Sequence, residues 1–68
     1  MNEQEIKGNW KQVKGEVKKK WAMLTDDDLG EVQGRIDILA GKIQKRYGKA
    51  KEEAFKEVNE FLDSIIKQ

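Results

Sequence analysis

The residues of this sequence whose types and spacing could do chemistry are Asp26-Asp27-Asp28 and two groups of lysines. Clustered carboxylates suggest a cation site. A calcium loop, however, places acids at alternate positions and follows them with Gly and a distant Glu. Here the three acids are consecutive and follow Thr25, a pattern that opens a helix. Thr25 is an N-cap, and Asp28, three residues on, is the acid that completes a capping box. The aspartates also complement the positive end of the helix dipole. No metal site is expected.

The lysines raise the question of phosphate binding. Lys11, Lys14 and Lys18 run along one side of a first basic helix, with Lys7, Lys19 and Lys20 nearby. Lys42, Lys45, Arg46 and Lys49 do likewise on a later one. If the two helices lie side by side, such a strip could track a nucleic-acid backbone. The net charge is only +1 and the Trp and Tyr residues fall on the apolar stripe. A solvated face is therefore the simpler account, and weak nucleic-acid binding the subsidiary one.

Catalytic chemistry has little to work with. The chain has no His and no Cys, and its single Ser and Thr are Ser64 and Thr25. Thr25 is engaged as a cap, and Ser64 has no evident base. The many carboxylates lie on solvated helix faces, without a pocket to shift their acidity. The expected protein is not an enzyme and uses no cofactor.

The elements that position these residues are helices, and the fold class is all-α. Ile6, Trp10, Val13, Val17 and Trp21 step by four, three, four and four, forming one helical stripe. This predicts a helix over about 9–22, with an earlier turn weakened by Gly8. Leu24 and Leu29 occupy the places of a hydrophobic staple around the Thr25 cap. A second helix should therefore start at Asp26. Gly48 predicts a left-handed stop after Tyr47, and Ala54, Phe55, Val58, Phe61, Leu62 and Ile65 predict a last helix over about 50–66.

A stripe from Leu29 through Val32, Ile36, Leu39 and Ile43 to Tyr47 allows one continuous helix over 26–47. An internal repeat argues against it. Shifted by 26 positions, Gly34, Ile36, Leu39, Gly41, Ile43 and Tyr47 fall on Gly8, Trp10, Val13, Gly15, Val17 and Trp21. A break near Gly34 makes the two halves equivalent. The favoured arrangement is four helices, about 9–22, 26–33, 35–47 and 50–66, as two related hairpins. Three helices, with 26–47 continuous, is the alternative.

Length and composition agree with a single small helical domain over 1–68. With 68 residues and no Cys, neither disulfides nor a large core can assist folding. The acidic start Met1-Asn2-Glu3-Gln4-Glu5 lacks an apolar run, so no secretory signal is expected. No apolar stretch approaches the ~20 residues of a membrane span. A cytoplasmic location fits the missing cysteines. Net charge alternates along the chain: +3 over 1–24, −4 over 25–34, +5 over 35–51 and −3 over 52–68. Basic helices thus alternate with acidic ones, as suits partners that attract at their rims.

The glycines leave one surface unassigned. Gly15, Gly34 and Gly41 lie roughly opposite the apolar stripe on a wheel of ~100° per residue, with Ile38 between the last two. A smooth outer face formed by Gly34, Ile38 and Gly41, with Lys42 and Lys45 beside it, is the candidate surface for a partner or second copy. The oligomeric expectation is a monomer or weak homodimer. The plainer view is that these glycines loosen the helices, at up to ~1 kcal/mol each relative to Ala.

Taken in order, Gly8-Asn9-Trp10-Lys11-Gln12, Lys14-Gly15, Val17-Lys18, Trp21, Leu24-Thr25-Asp26-Asp27-Asp28-Leu29, Gly34, Leu39, Gly41-Lys42-Ile43-Gln44 and Arg46-Tyr47-Gly48 resemble the CsbD-like family of small bacterial proteins. The likeness covers roughly residues 2–58 and lies in the order of short motifs, none chemical by itself. It implies two helical hairpins packed crosswise, and a cytoplasmic protein made under general stress, in stationary phase or at high osmolarity. It carries over no catalytic or ligand residues. Two functions follow as expectations: a hydrophilic protectant acting by mass and hydration, and a small module that binds a protein or nucleic-acid partner.

Overall fold

Thr25 accepts the Asp28 backbone N–H at 3.1 Å, and the Asp28 carboxylate accepts the Thr25 N–H at 3.1 Å, closing the expected capping box. The computed structural model in which this is seen describes residues 3–66. Five helices occur among them, and no strand: α1 (Glu3–Gly8), α2 (Trp10–Lys20), α3 (Asp26–Val32), α4 (Ile36–Tyr47) and α5 (Lys51–Ile66). Leu24 and Leu29, the two sides of the staple, are both buried.

Four helices were expected and five are present, because the segment ahead of the expected 9–22 helix forms a helix of its own, set off at Asn9. This residue leaves helical geometry, with φ −111° and ψ 19°. Its backbone N–H and its side-chain amide both donate to the Glu5 carbonyl at 3.1 Å, the local competition that bends helices at Asn. The expected early turn is thus a helix in its own right. Tertiary contacts hold it: Ile6 is buried, and the Glu3 carboxylate accepts the Ile36 N–H at 3.1 Å. That bond caps the start of α4, whose own N-cap residue, Arg35, supplies no side-chain acceptor. At the other end α2 stops at Lys20, so buried Trp21 and exposed Ala22 lie in the turn beyond it.

The chain breaks between α3 and α4, which rules out a continuous helix over 26–47. Gln33 is left-handed at φ 45°, and Gly34 follows at φ +90°. Glycine is required here for a second reason. A Cβ on Gly34 would lie 2.7 Å from Lys7 Cγ and 2.8 Å from Lys7 Cα, so α1 crosses directly over this turn. Gly48 ends α4 at φ +66°, donating to the Gln44 carbonyl at 2.9 Å, as its position after Tyr47 predicted.

The core is built from the predicted stripes. Val13, Val17, Trp21, Val32, Leu39, Ala40, Ile43, Ala54, Val58, Phe61 and Leu62 join Ile6, Leu24 and Leu29 in one cluster, with Trp10, Ile36, Tyr47, Phe55 and Ile65 half-buried at its edge. The closest helix pairing is α4 with α5, and α3 packs on α4. The radius of gyration is 10.8 Å, close to the ~11 Å of a well-packed chain of this length.

Candidate functional site

Asp28 is the one charged side chain that the fold buries among the described residues, at 5 % exposure. The first turn of α3 directs it towards α4, where Lys42 and Arg46, four apart, share a face. Arg46 grips the carboxylate with both prongs, Nε donating to Oδ2 at 2.8 Å and Nη2 to Oδ1 at 3.2 Å. Lys42 Nζ stands 3.7 Å from Oδ1 and donates to Glu31 at 2.5 Å. The bonded guanidinium, with the Thr25 N–H second, holds the Asp28 carboxyl far below the ordinary carboxylate range. The bond to Glu31 raises Lys42 above the ordinary lysine value. A carboxylate locked in its ionised form by three hydrogen-bond donors and a nearby ammonium cannot exchange protons near neutral pH. Its chemistry is to fasten α3 to α4.

A second cluster fastens the turn after α2 to α5. Trp21 packs edge-on against Phe61, ring centres 4.9 Å apart and planes at 67°, and its indole N–H donates to Glu57 Oε1 at 3.3 Å. Lys49 donates to the other oxygen of Glu57. That ammonium lowers the Glu57 pKa, the indole adding to it, and the same bond raises Lys49. On the opposite side of the turn, Met23 N–H donates to the Tyr47 hydroxyl at 3.1 Å. Beside this cluster lies a shallow, open cleft of about 180 Å³ lined by Lys20, Glu57, Glu60, Phe61 and Ser64. The Ser64 hydroxyl donates to the Phe61 carbonyl at 2.8 Å and is engaged with its own helix. No three acidic side chains converge as metal ligands among the described residues.

The five residues of the expected partner face are not brought into one surface. Gly34 is buried beneath Lys7, and Lys42 is half-buried and committed to Glu31 and Asp28. Ile38 is half-buried against the core. Gly41 and Lys45 are exposed, and the space around a Cβ at Gly41 is open. Of the five, the outer surface of α4 keeps Gly41 and Lys45 with the edge of Ile38, next to exposed Asp37. Sequence reasoning assigned Asp28 a cap and missed its grip on Arg46. The available signal was the pair Lys42 and Arg46, spaced to meet the acids of α3.

The order of these motifs and the fold that they build have a match among known families. The CsbD-like family matches residues 4–56, most of the chain. This chain belongs to the CsbD-like family. The UPF0337 protein YjbJ of Escherichia coli K12 is 57 % identical over 58 residues, 85 % of this chain and 84 % of that one. A UPF0337 protein of Pectobacterium atrosepticum is 52 % identical over 63 residues, 93 % of this chain and 91 % of its own. One from Pseudomonas aeruginosa is 49 % identical over 65 residues, 96 % of this chain and the whole of its own. The match spans the Asp28 cluster and takes in Trp21 and Lys49 of the second, whose Glu57 and Phe61 lie beyond residue 56.

Proposed function

We propose that this chain is a non-enzymatic bacterial general-stress protein of the cytoplasm, acting in stationary phase or osmotic stress as a hydrophilic protectant. The observation that supports this most directly is how its charge is used. The ionisable groups that the fold draws inward are partnered: Arg46 and Lys42 with Asp28, Lys42 also with Glu31, Lys49 with Glu57, and Glu3 with the Ile36 N–H. The remaining charge is displayed to solvent by a chain with 40 % charged residues and mean hydropathy −0.89. Such a surface binds water strongly and offers little apolar area for aggregation. The test is the activity retained by a labile enzyme after heating or drying with this protein. It should exceed that retained with an equal mass of albumin; equality would refute the proposal.

A second reading, a small binding module, is favoured by the open surface at Gly41 and Lys45, where a partner or second copy could approach the α4 backbone. Capture from stressed cells, with Gly41→Glu as control, tests the partner. Sedimentation over a hundredfold concentration range tests the weak homodimer, which one unchanged mass would eliminate. The 26-residue repeat and the shared stripe positions support descent of the two halves from one helical hairpin, packed crosswise on its copy.

A further inference from the structure

Lys11, Lys14 and Lys18 form a row on α2, Lys7 precedes it on α1, and all four are exposed. On α2 the spacings of three and four keep Lys11, Lys14 and Lys18 within about 60° of one another around the helix, on a flank of the buried stripe, and Lys7 lies beyond the bend at Asn9. At ~1.5 Å per residue the α2 row is about 10 Å long. Gly8 and Gly15 adjoin it on the outer side, and a Cβ at either would meet nothing within 4 Å. The acids Glu5 and Glu16 fall on the other flank. Two of the lysines have partners within the fold, Lys7 with Glu3 at 3.7 Å and Lys18 with Asp26 at 2.8 Å, and both pairs are open to solvent. Lys14 adds a through-space pull on Asp26, and Lys11 makes no ion pair among the described residues.

The internal repeat supplies the control that a lone row of lysines lacks. The positions equivalent to Lys7, Lys11, Lys14 and Lys18 in the second half are Gln33, Asp37, Ala40 and Gln44. Ala40 is fully buried and Gln44 half-buried, while Gln33 and Asp37 are exposed, so there the corresponding flank is partly packed inside the fold and carries no cation. On α2 the same flank is left open and carries cations instead. The scaffold does not require them, because its other half is built without them.

We propose that this row is a sequence-independent binding strip for the phosphate backbone of nucleic acid, a function separate from the protectant role and not dependent on it. Its length along α2 matches about three phosphates of one duplex strand, at ~3.4 Å of axis each. Ammonium groups on flexible stems bind phosphates as point charges without reading bases. A membrane surface fits less well. A helix that lies on lipid needs an exposed apolar face, and here Ile6, Val13, Val17 and Trp21 are 0–5 % exposed inside the core.

The test is fluorescence anisotropy of the full chain with labelled duplexes of about two helical turns and unrelated sequences, from 20 to 150 mM KCl. Binding should be alike for all sequences, with a log–log salt slope of about −3, as three to four displaced counterions give. Lys11→Gln with Lys14→Gln should weaken binding at least tenfold at 50 mM salt and reduce the slope by about 2. The charge-matched pair Lys51→Gln with Lys56→Gln, on exposed positions of α5, should stay within twofold. Circular dichroism confirms that both variants fold. No binding at 20 mM salt, equal loss in the two variants, or tighter binding to phosphatidylglycerol vesicles at the same phosphate concentration would each overturn the proposal.

Discussion

Replacing Gly34 by Ala should be among the most damaging single-methyl changes available to this protein. Gly34 sits at φ +90°, and a Cβ there would meet Lys7 Cγ at 2.7 Å, Lys7 Cα at 2.8 Å and Lys7 N at 3.0 Å. Two of those three atoms are backbone, so moving a flexible side chain does not relieve the contact; α1 itself must shift. The conformational strain costs ~1–2 kcal/mol for a residue with a Cβ. Overpacking adds ~1–3 kcal/mol. Displacing α1 also endangers the Glu3 bond to the Ile36 N–H and the burial of Ile6. The expected loss is therefore ~2–5 kcal/mol. The whole domain has only ~3–10 kcal/mol, at ~0.05–0.15 per residue. Urea unfolding followed by the fluorescence of Trp10 and Trp21 measures it, with Gly41→Ala as the internal control. Gly41 lies within α4 with open space where its Cβ would be, so Ala there should stabilise by ~0.5–1 kcal/mol. A Gly34→Ala protein within 0.5 kcal/mol of the parent, roughly the error of such a comparison, would refute the close crossing of α1 over the break.

Four further outcomes follow from the clusters and the core. Thr25→Ala removes the acceptor for the Asp28 N–H and should cost ~1 kcal/mol in the same unfolding assay. Leu29→Ala, at a fully buried staple position, should cost ~2–5 kcal/mol and lower the melting temperature by more than 10 °C. Asp28 is held below its unfolded pKa, so its contribution is present above the unfolded value of about 4 and is lost as pH falls further. Melting temperature should thus fall from pH 5 to pH 2, and Arg46→Gln, already lacking the pair, should fall less over that window. The raised Lys49 has the opposite sign. Its contribution is complete below the unfolded pKa of about 10.4 and is lost as pH rises beyond it.

What the sequence made legible was local or repeated. The Thr25 cap, the Leu24–Leu29 staple and the Gly48 stop are each decided within about five residues, where residue type and backbone geometry are coupled directly. The break at Gly34 was ambiguous by periodicity, because Val32 and Ile36 continue one stripe across it; comparison with Gly8 in the first half resolved it. What stayed hidden depends on residues far apart in the chain. Glu3 caps a helix that starts at Ile36, Arg46 holds Asp28, and Trp21 reaches Glu57. The alternating charge of the helices foretold attraction but not its partners. Lys42 and Arg46 of α4 pair with α3, so part of that attraction runs between the two halves. Gly34 was placed on an outer face because a wheel records only its own helix, and α1 lies over it.

The most direct test of a protective role without a dedicated site is a dose series in which a labile enzyme is dried with this protein. The parent, Gly41→Glu, and the Lys11→Gln, Lys14→Gln pair are each compared with albumin at equal mass. A protectant acting by hydration and mass predicts that all three preserve more activity than albumin, on a single curve against protein mass. Protection no greater than that of albumin, or protection lost in either variant while its helical content is unchanged, would contradict it.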